Sequence, residues 1–156
     1  MTKLGLIKLG LPEMDEAARL HRVSFDAEMP WLAGLHTPEE DRAYFRDHVH
    51  AVCEVYGAVE RATLLGFIAF REGFIDQLYV LPRAQGTGVG TALLAKAPAS
   101  FAELRLWTFQ RNLKARRFYA ARGFVLIEET DGAGNEEREP DALYLWRRAD
   151  LTDRRY

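Results

Sequence analysis

The sequence predicts an α/β protein with a mixed, mostly antiparallel sheet flanked by about four helices, in the order βααβββαβαββ. Three observations lead there. Strand-like and helix-like runs alternate in the second half of the chain. Three consecutive strand-like runs in the middle are joined by turns too short for a parallel crossover. The 156 residues are enough for one hydrophobic core, so a single domain spanning 1–156 is expected.

Residues 4–9 read as the first strand. Pro12 suits the first turn of a helix running to about Asp26, with Ala17, Leu20, Ser24 and Phe25 on one side at helical spacing. Residues 30–36 form a loop bearing Trp31. Thr37-Pro38-Glu39-Glu40 places a capping threonine before a helix-starting proline and an acidic first turn, which predicts a second helix to about Val49. Strands follow at 52–59, 64–71 and 74–81. A helix from about Gly88 should end at Pro98, because proline disfavours helical backbone in the residue before it. A strand at 104–109, a helix from about Asn112 stopped by Gly123, and strands at 124–130 and 142–148 complete the order. Residues 131–140 carry two glycines, an asparagine and several charges, which suits a hairpin loop or a mobile flap.

Hydrophobic residues at 48% and charged ones at 28% describe a globular chain. No apolar run approaches the length of a membrane span, and the Met1-Thr2-Lys3 start lacks the apolar stretch of a signal peptide, so a cytoplasmic protein without a membrane partner is expected. Cys53 is the only cysteine, which rules out an intrachain disulfide. A net charge of −2 gives no general attraction to nucleic acid, and any polyanion site must be local.

The segment from Phe74 to Thr91 reads as a strand, a glycine-rich turn and a helix start. Glycines let backbone approach a ligand closely, and the free N–H groups of a first helical turn favour an anion such as pyrophosphate. A Walker loop does not fit, since no Lys-Ser or Lys-Thr pair follows Gly90. Nor does the dinucleotide fingerprint, because Thr91 stands where its third glycine belongs and no acidic residue ends the next strand.

What fits is the run Arg83-Ala84-Gln85-Gly86-Thr87-Gly88, which resembles motif A of the GNAT superfamily of amine N-acetyltransferases, Arg/Gln-x-x-Gly-x-Gly/Ala. Leu78-Tyr79-Val80-Leu81-Pro82 is similar to that family's lead-in strand. The resemblance implies that backbone amides from Arg83 through Gln85, Gly86, Thr87 and Gly88 to Val89 hold the pyrophosphate of acetyl-CoA. It also implies that the backbone of Leu78 and Val80 flanks the thioester and pantetheine arm. A second stretch, Asn112 followed by Phe118-Tyr119 and Gly123-Phe124, resembles the family's motif B. Asn112 and Tyr119 lie seven apart, so on a helix they share a face about 10 Å apart along the axis, enough to line part of an extended arm. The resemblance covers most of the chain from about Ala51 to Arg148. It implies acetyl transfer from acetyl-CoA to a primary amine by direct attack in a ternary complex, with no metal. The alternative is a non-enzymatic acyl-CoA-binding regulatory module, against which the retention of both Asn112 and Tyr119 argues.

Acyl transfer needs a neutral nitrogen, and a lysine-like amine costs roughly 4 to 5 kcal/mol to deprotonate at pH 7. Asp76 is the candidate base because it precedes the backbone expected to meet the thioester. The family often carries a glutamate nearer the strand start, where Phe74 stands here, and Glu72, Glu54 and the carboxylates of residues 131–140 are reserves. By resemblance the Leu78 N–H stabilises the oxyanion, worth roughly two orders of magnitude in rate. Tyr119 then meets the leaving sulfur. Cys53 has no identifiable neighbouring base for an acyl-enzyme route. His48, His50 and Cys53 have a superficially metal-like spacing but straddle a helix-strand junction without a fourth ligand.

Arg111, Lys114, Arg116, Arg117 and Arg122 make the last helix basic, which suits either a solvated face or contact with CoA phosphates. Asp26, Glu28, Glu136, Glu137, Glu139 and Asp141 are either solvated charges or attraction for a cationic amine, with Trp31 and Phe25 as an apolar wall. The expected partner is a small-molecule or protein amine, and pairing of C-terminal strands suggests a homodimer.

Overall fold

The computed structural model describes residues 3–97 and 101–148. Its contacts divide into two compact units, Met1–Arg71 with Ile75–Ala97, and Glu72–Phe74 with Pro98–Tyr156. Seven strands occur among the described residues, β1 to β7, and their pairings are antiparallel except for Phe74 opposite Arg105. The mixed, mostly antiparallel sheet is therefore observed.

In the first unit, β1 (Gly5–Lys8) pairs with β2 (Glu54–Glu60), which pairs with β3 (Thr63–Arg71), the neighbour of β4 (Phe74–Val80). Seven consecutive residues of β3 are buried, as expected of a central strand covered on both faces. Pro12 lies in a 3-10 turn, Leu11–Glu13, and α1 (Met14–Glu28) follows it, ending two residues beyond the expected Asp26. α1 buries Met14, Ala17, Ala18, Leu20, Ser24 and Phe25. Thr37 caps α2 (Pro38–Tyr44) as expected: its hydroxyl accepts from the Glu40 N–H at 3.2 Å, and the Glu40 carboxylate accepts from the Thr37 N–H at 3.0 Å. Helical backbone then continues past Val49 through a π turn, Phe45–Val49, and the short α3 (His50–Val52). The wider turn buries Phe45 and Val49, four apart, and it pushes the start of β2 back from 52 to 54.

Arg22 clips α1 to α2. Its guanidinium makes paired hydrogen bonds of 2.8 and 2.9 Å to Asp41 and a third to Asp26. Burial pushes the Asp41 carboxyl up, but the hydrogen bonds and charge of Arg22 outweigh it and hold the group below the usual aspartate range. Met14, Phe45, Phe67 and Val55 fill the core around this clip.

α4 (Val89–Leu94) ends before the expected stop. The bond from Lys96 N to Leu93 O tightens residues 95–97 into a 3-10-like turn, and Pro98 lies outside the described residues.

In the second unit, β5 (Glu103–Phe109) pairs with β7 (Asp141–Arg147), which pairs with β6 (Val125–Thr130). α5 (Leu113–Ala121) ends near Gly123, whose φ of +89° is the left-handed stop expected of it. Leu104, Leu106, Phe124, Ala142 and Tyr144 are buried.

Candidate active site

The glycine turn is built by backbone geometry. After β4, Leu81 N–H returns to Leu65 O on β3 at 2.8 Å, and a 3-10 turn, Pro82–Ala84, redirects the chain. Gly86 and Gly88 then take φ of +75° and +93°, values that side chains resist. A Cβ at either would meet nothing within 4 Å, so conformation and not crowding selects glycine, and the space beside both is open. The Thr87 hydroxyl bends back to the Ala84 carbonyl. A turn over residues 85–88 leads directly into the start of the helix Val89–Leu94, whose first N–H groups have no partner within the helix itself. Arg83 is exposed and lines a cleft of about 330 Å³ with Glu60, Arg61, Thr63 and Leu65.

Leu78 and Val80 are half-buried on β4. The Val80 carbonyl is occupied: it accepts from Ser24 Oγ at 3.2 Å and from Gln85 Nε2 at 3.0 Å. Gln85 Nε2 also reaches Glu28 Oε1 at 3.3 Å, so this side chain braces the turn.

Asp76 is engaged at both oxygens. Oδ1 accepts from Arg71 Nε at 3.0 Å, and Oδ2 accepts from the Cys53 thiol at 3.2 Å. Burial and then the hydrogen bond to Asp76 push the Cys53 thiol up to about 12, which leaves almost no thiolate at neutral pH. Among the described residues, no group of three His, Cys, Asp or Glu side chains is placed to hold a metal.

The second unit holds Asn112 and Tyr119. Asn112 Oδ1 accepts from the Ala115 N–H at 3.1 Å, which makes it the N-cap of α5, a use the sequence did not suggest. Tyr119 is buried between Phe118 and Phe124, with ring centroids 5.3 and 5.4 Å away. Much of the basic helix is committed internally. Arg116 donates to Tyr144 Oη and Glu129, Arg122 lies 3.7 Å from the Phe118 ring centroid, and Arg111 pairs with Glu139 at 2.9 Å. The acidic residues behave alike: Asp26 is paired with Arg22 in the first unit, and Glu139 and Asp141 are bonded within residues 130–141 of the second. Those bonds brace the connection as the hairpin loop that joins β6 to β7.

His21 was not singled out by the sequence although it lies on the apolar stripe of α1, four residues from both Ala17 and Phe25. Its ring packs edge-on against Tyr79 at 4.6 Å and against Phe25 and Phe45 at 5.6 Å. Nδ1 is buried without a hydrogen-bond partner. Burial, reinforced by Arg22 and offset in part by Asp41 and Asp26, lowers its pKa to about 4, so the imidazole is neutral near pH 7.

The profile of the acetyltransferase (GNAT) family matches residues 15–124, more than half of the chain. The chain belongs to the GNAT family. Peptidyl-lysine N-acetyltransferase YiaC of Escherichia coli is 33% identical over 93 residues, 54% of this chain and 64% of YiaC. The chain thus spans less than two thirds of that relative's length. Two solved structures share the fold. Apo YjaB from Escherichia coli superposes with a TM-score of 0.73 at 23% identity, over 94% of this chain and 99% of its own. The PaiA N-acetyltransferase of Thermoplasma acidophilum, solved in complex with coenzyme A, gives 0.71 at 21% identity, also over 94% and 99%. Among the described residues, no helix is long and apolar enough to cross a membrane.

Proposed function

We propose that this GNAT protein transfers the acetyl group of acetyl-CoA to a primary amine by direct attack in a ternary complex. The observation that carries the reading is the glycine turn itself: Gly86 and Gly88 at positive φ with open space beside both, leading straight into a helix start, a geometry suited to the CoA pyrophosphate. Family membership and the coenzyme A bound to the PaiA relative support the choice of ligand. The nearly thiolate-free Cys53 favours direct transfer over an acyl-enzyme.

In this scheme the Leu78 N–H stabilises the oxyanion of the tetrahedral intermediate. Asp76 accepts the amine's proton, directly or through one water, exchanging one of its present bonds to Arg71 or Cys53 for that role. Tyr119 hydrogen-bonds the leaving sulfur. Full proton transfer from a phenol to a thiolate is uphill by about 2 kcal/mol, so Tyr119→Phe slows turnover without abolishing it.

The test is calorimetric titration with acetyl-CoA, followed by thiol release over an amine panel that includes a lysine peptide, because YiaC bears the name of a peptidyl-lysine enzyme. Micromolar binding with amine-dependent thiol release is expected. Binding with no release for any amine supports the regulatory module instead, and no binding overturns the reading.

A further inference from the structure

Ser24 is completely buried on the packed side of α1. A serine inside a helix commonly returns its hydroxyl to the carbonyl four residues back. This one leaves the helix and donates to the Val80 carbonyl, 56 positions away, at 3.2 Å. Glu28, one turn further along α1, accepts from Gln85 Nε2, and that same nitrogen donates to the same Val80 oxygen at 3.0 Å. A carbonyl oxygen has two lone pairs, and both are used here.

The direction of this peptide follows from its neighbour. Leu81 N–H points to Leu65 on β3, and alternation along a strand turns the N–H and C=O of Val80 away from β3. Val80 is where the pantetheine arm is expected to run, and a doubly occupied carbonyl cannot also accept from it.

We infer that Ser24 and Gln85 are positioning residues for acetyl-CoA: together they hold the Val80 peptide by its carbonyl, so that its N–H is the group Val80 presents to the cofactor. This rests on the acetyl-CoA reading above. Ser24 then influences cofactor affinity without touching the cofactor. α1 holds the peptide twice, directly through Ser24 and indirectly through Glu28 and Gln85.

Ser24→Ala and Gln85→Met, singly and combined, test the clamp through the acetyl-CoA Kd, KM against kcat, and Tm. Each single variant should weaken acetyl-CoA binding about three- to tenfold and raise its KM alike, with kcat within about twofold, as loss of one buried hydrogen bond implies. The double variant should lose less than the product of the two, because both donors share one acceptor. Ser24→Thr, which keeps the hydroxyl, should recover most of the affinity. A lower Tm with Kd unchanged within twofold would make Ser24 a packing residue and sink the inference. If Ser24→Ala does not fold, the half-buried Gln85→Met decides by the same Kd criterion. Failure of the wild type to bind acetyl-CoA would instead overturn the proposed function itself.

Discussion

Two connections in this chain each carry two glycines and use them in opposite ways. In the turn after β4, Gly86 and Gly88 adopt left-handed backbone and a Cβ there would meet open space. In residues 131–140 of the other unit, Gly132 is also left-handed, but a Cβ there would run into the backbone of Glu139. Asn135 donates to Glu139 O at 2.7 Å and accepts from its N–H at 3.2 Å, Gly132 N–H bonds Thr130 Oγ1, and Arg111 reaches the Glu139 carboxylate. One connection spends its hydrogen bonds on itself and keeps a shape. The other holds its glycines at positive φ beside open space, where a ligand can approach the backbone closely.

The sharpest way to break this comparison is to place a carboxylate in the glycine turn after β4. Gly86→Glu combines charge with backbone strain at φ +75°, whereas Thr87→Glu adds charge at an exposed position without positive φ. Two like charges about 4 Å apart near a protein surface repel by about 4 kcal/mol, so Thr87→Glu should weaken acetyl-CoA binding by about a hundredfold or more with Tm nearly unchanged. Calorimetry on folded protein reads this directly, and undiminished affinity would remove the pyrophosphate from this turn. The mirror experiment is Gly132→Ala. Strain and the collision with Glu139 should cost about 2 to 4 kcal/mol in a urea melt, while acetyl-CoA affinity stays within a few-fold. A loss of affinity with intact stability would show that the braced loop serves the cofactor after all.

A polar group without a partner occurs inside the first unit, at His21, and pH should expose its cost. Its folded pKa, about 4, lies below the ordinary 6.5, so between those values the unfolded chain binds more protons. Stability should be flat in this respect above pH 6.5 and fall as pH drops towards 4. Between pH 7.5 and 5 the loss is about 2 kcal/mol. His21→Phe, which keeps a ring against Tyr79, Phe25 and Phe45, should flatten that part of the profile. Asp41, held low by Arg22, contributes stability that disappears only below the ordinary aspartate range, so it does not confuse the comparison. An unchanged slope in His21→Phe would mean that the imidazole is solvated in solution.

The elements were largely legible because they rest on local signals. Thr37-Pro38 caps a helix, Gly123 stops one, and the runs at 64–71 and 74–81 fall within a residue of β3 and β4. The helix before β2 runs on through a π turn and a further short helix, and the spacing of its apolar residues carries no signal for that extension. At the site, the glycine positions were legible from motif A, since positive φ is a sequence-encoded demand. The work of the side chains was not. Ser24 read as one small residue of an apolar stripe, and its bond to Val80 depends on a strand 56 positions away. Gln85 read as a ligand amide, yet its side chain braces the turn. The bonds from Arg71 and Cys53 to Asp76 likewise join β3 and the α3–β2 junction to β4, which only the fold brings together.

Asn112 is the remaining place where the two kinds of polar use compete, because one side chain could serve helix or ligand. Its Oδ1 accepts from the Ala115 N–H, and loss of such a cap by Asn112→Ala should cost about 1 kcal/mol of stability. Asn112→Ser separates the roles, since serine caps almost as well but is too short to replace an amide that reaches pantetheine. If capping is the whole function, Asn112→Ser keeps both Tm and the acetyl-CoA KM. If the amide also holds the arm, Asn112→Ser keeps Tm while KM rises several-fold, and the motif-B reading of this residue stands beside its structural one.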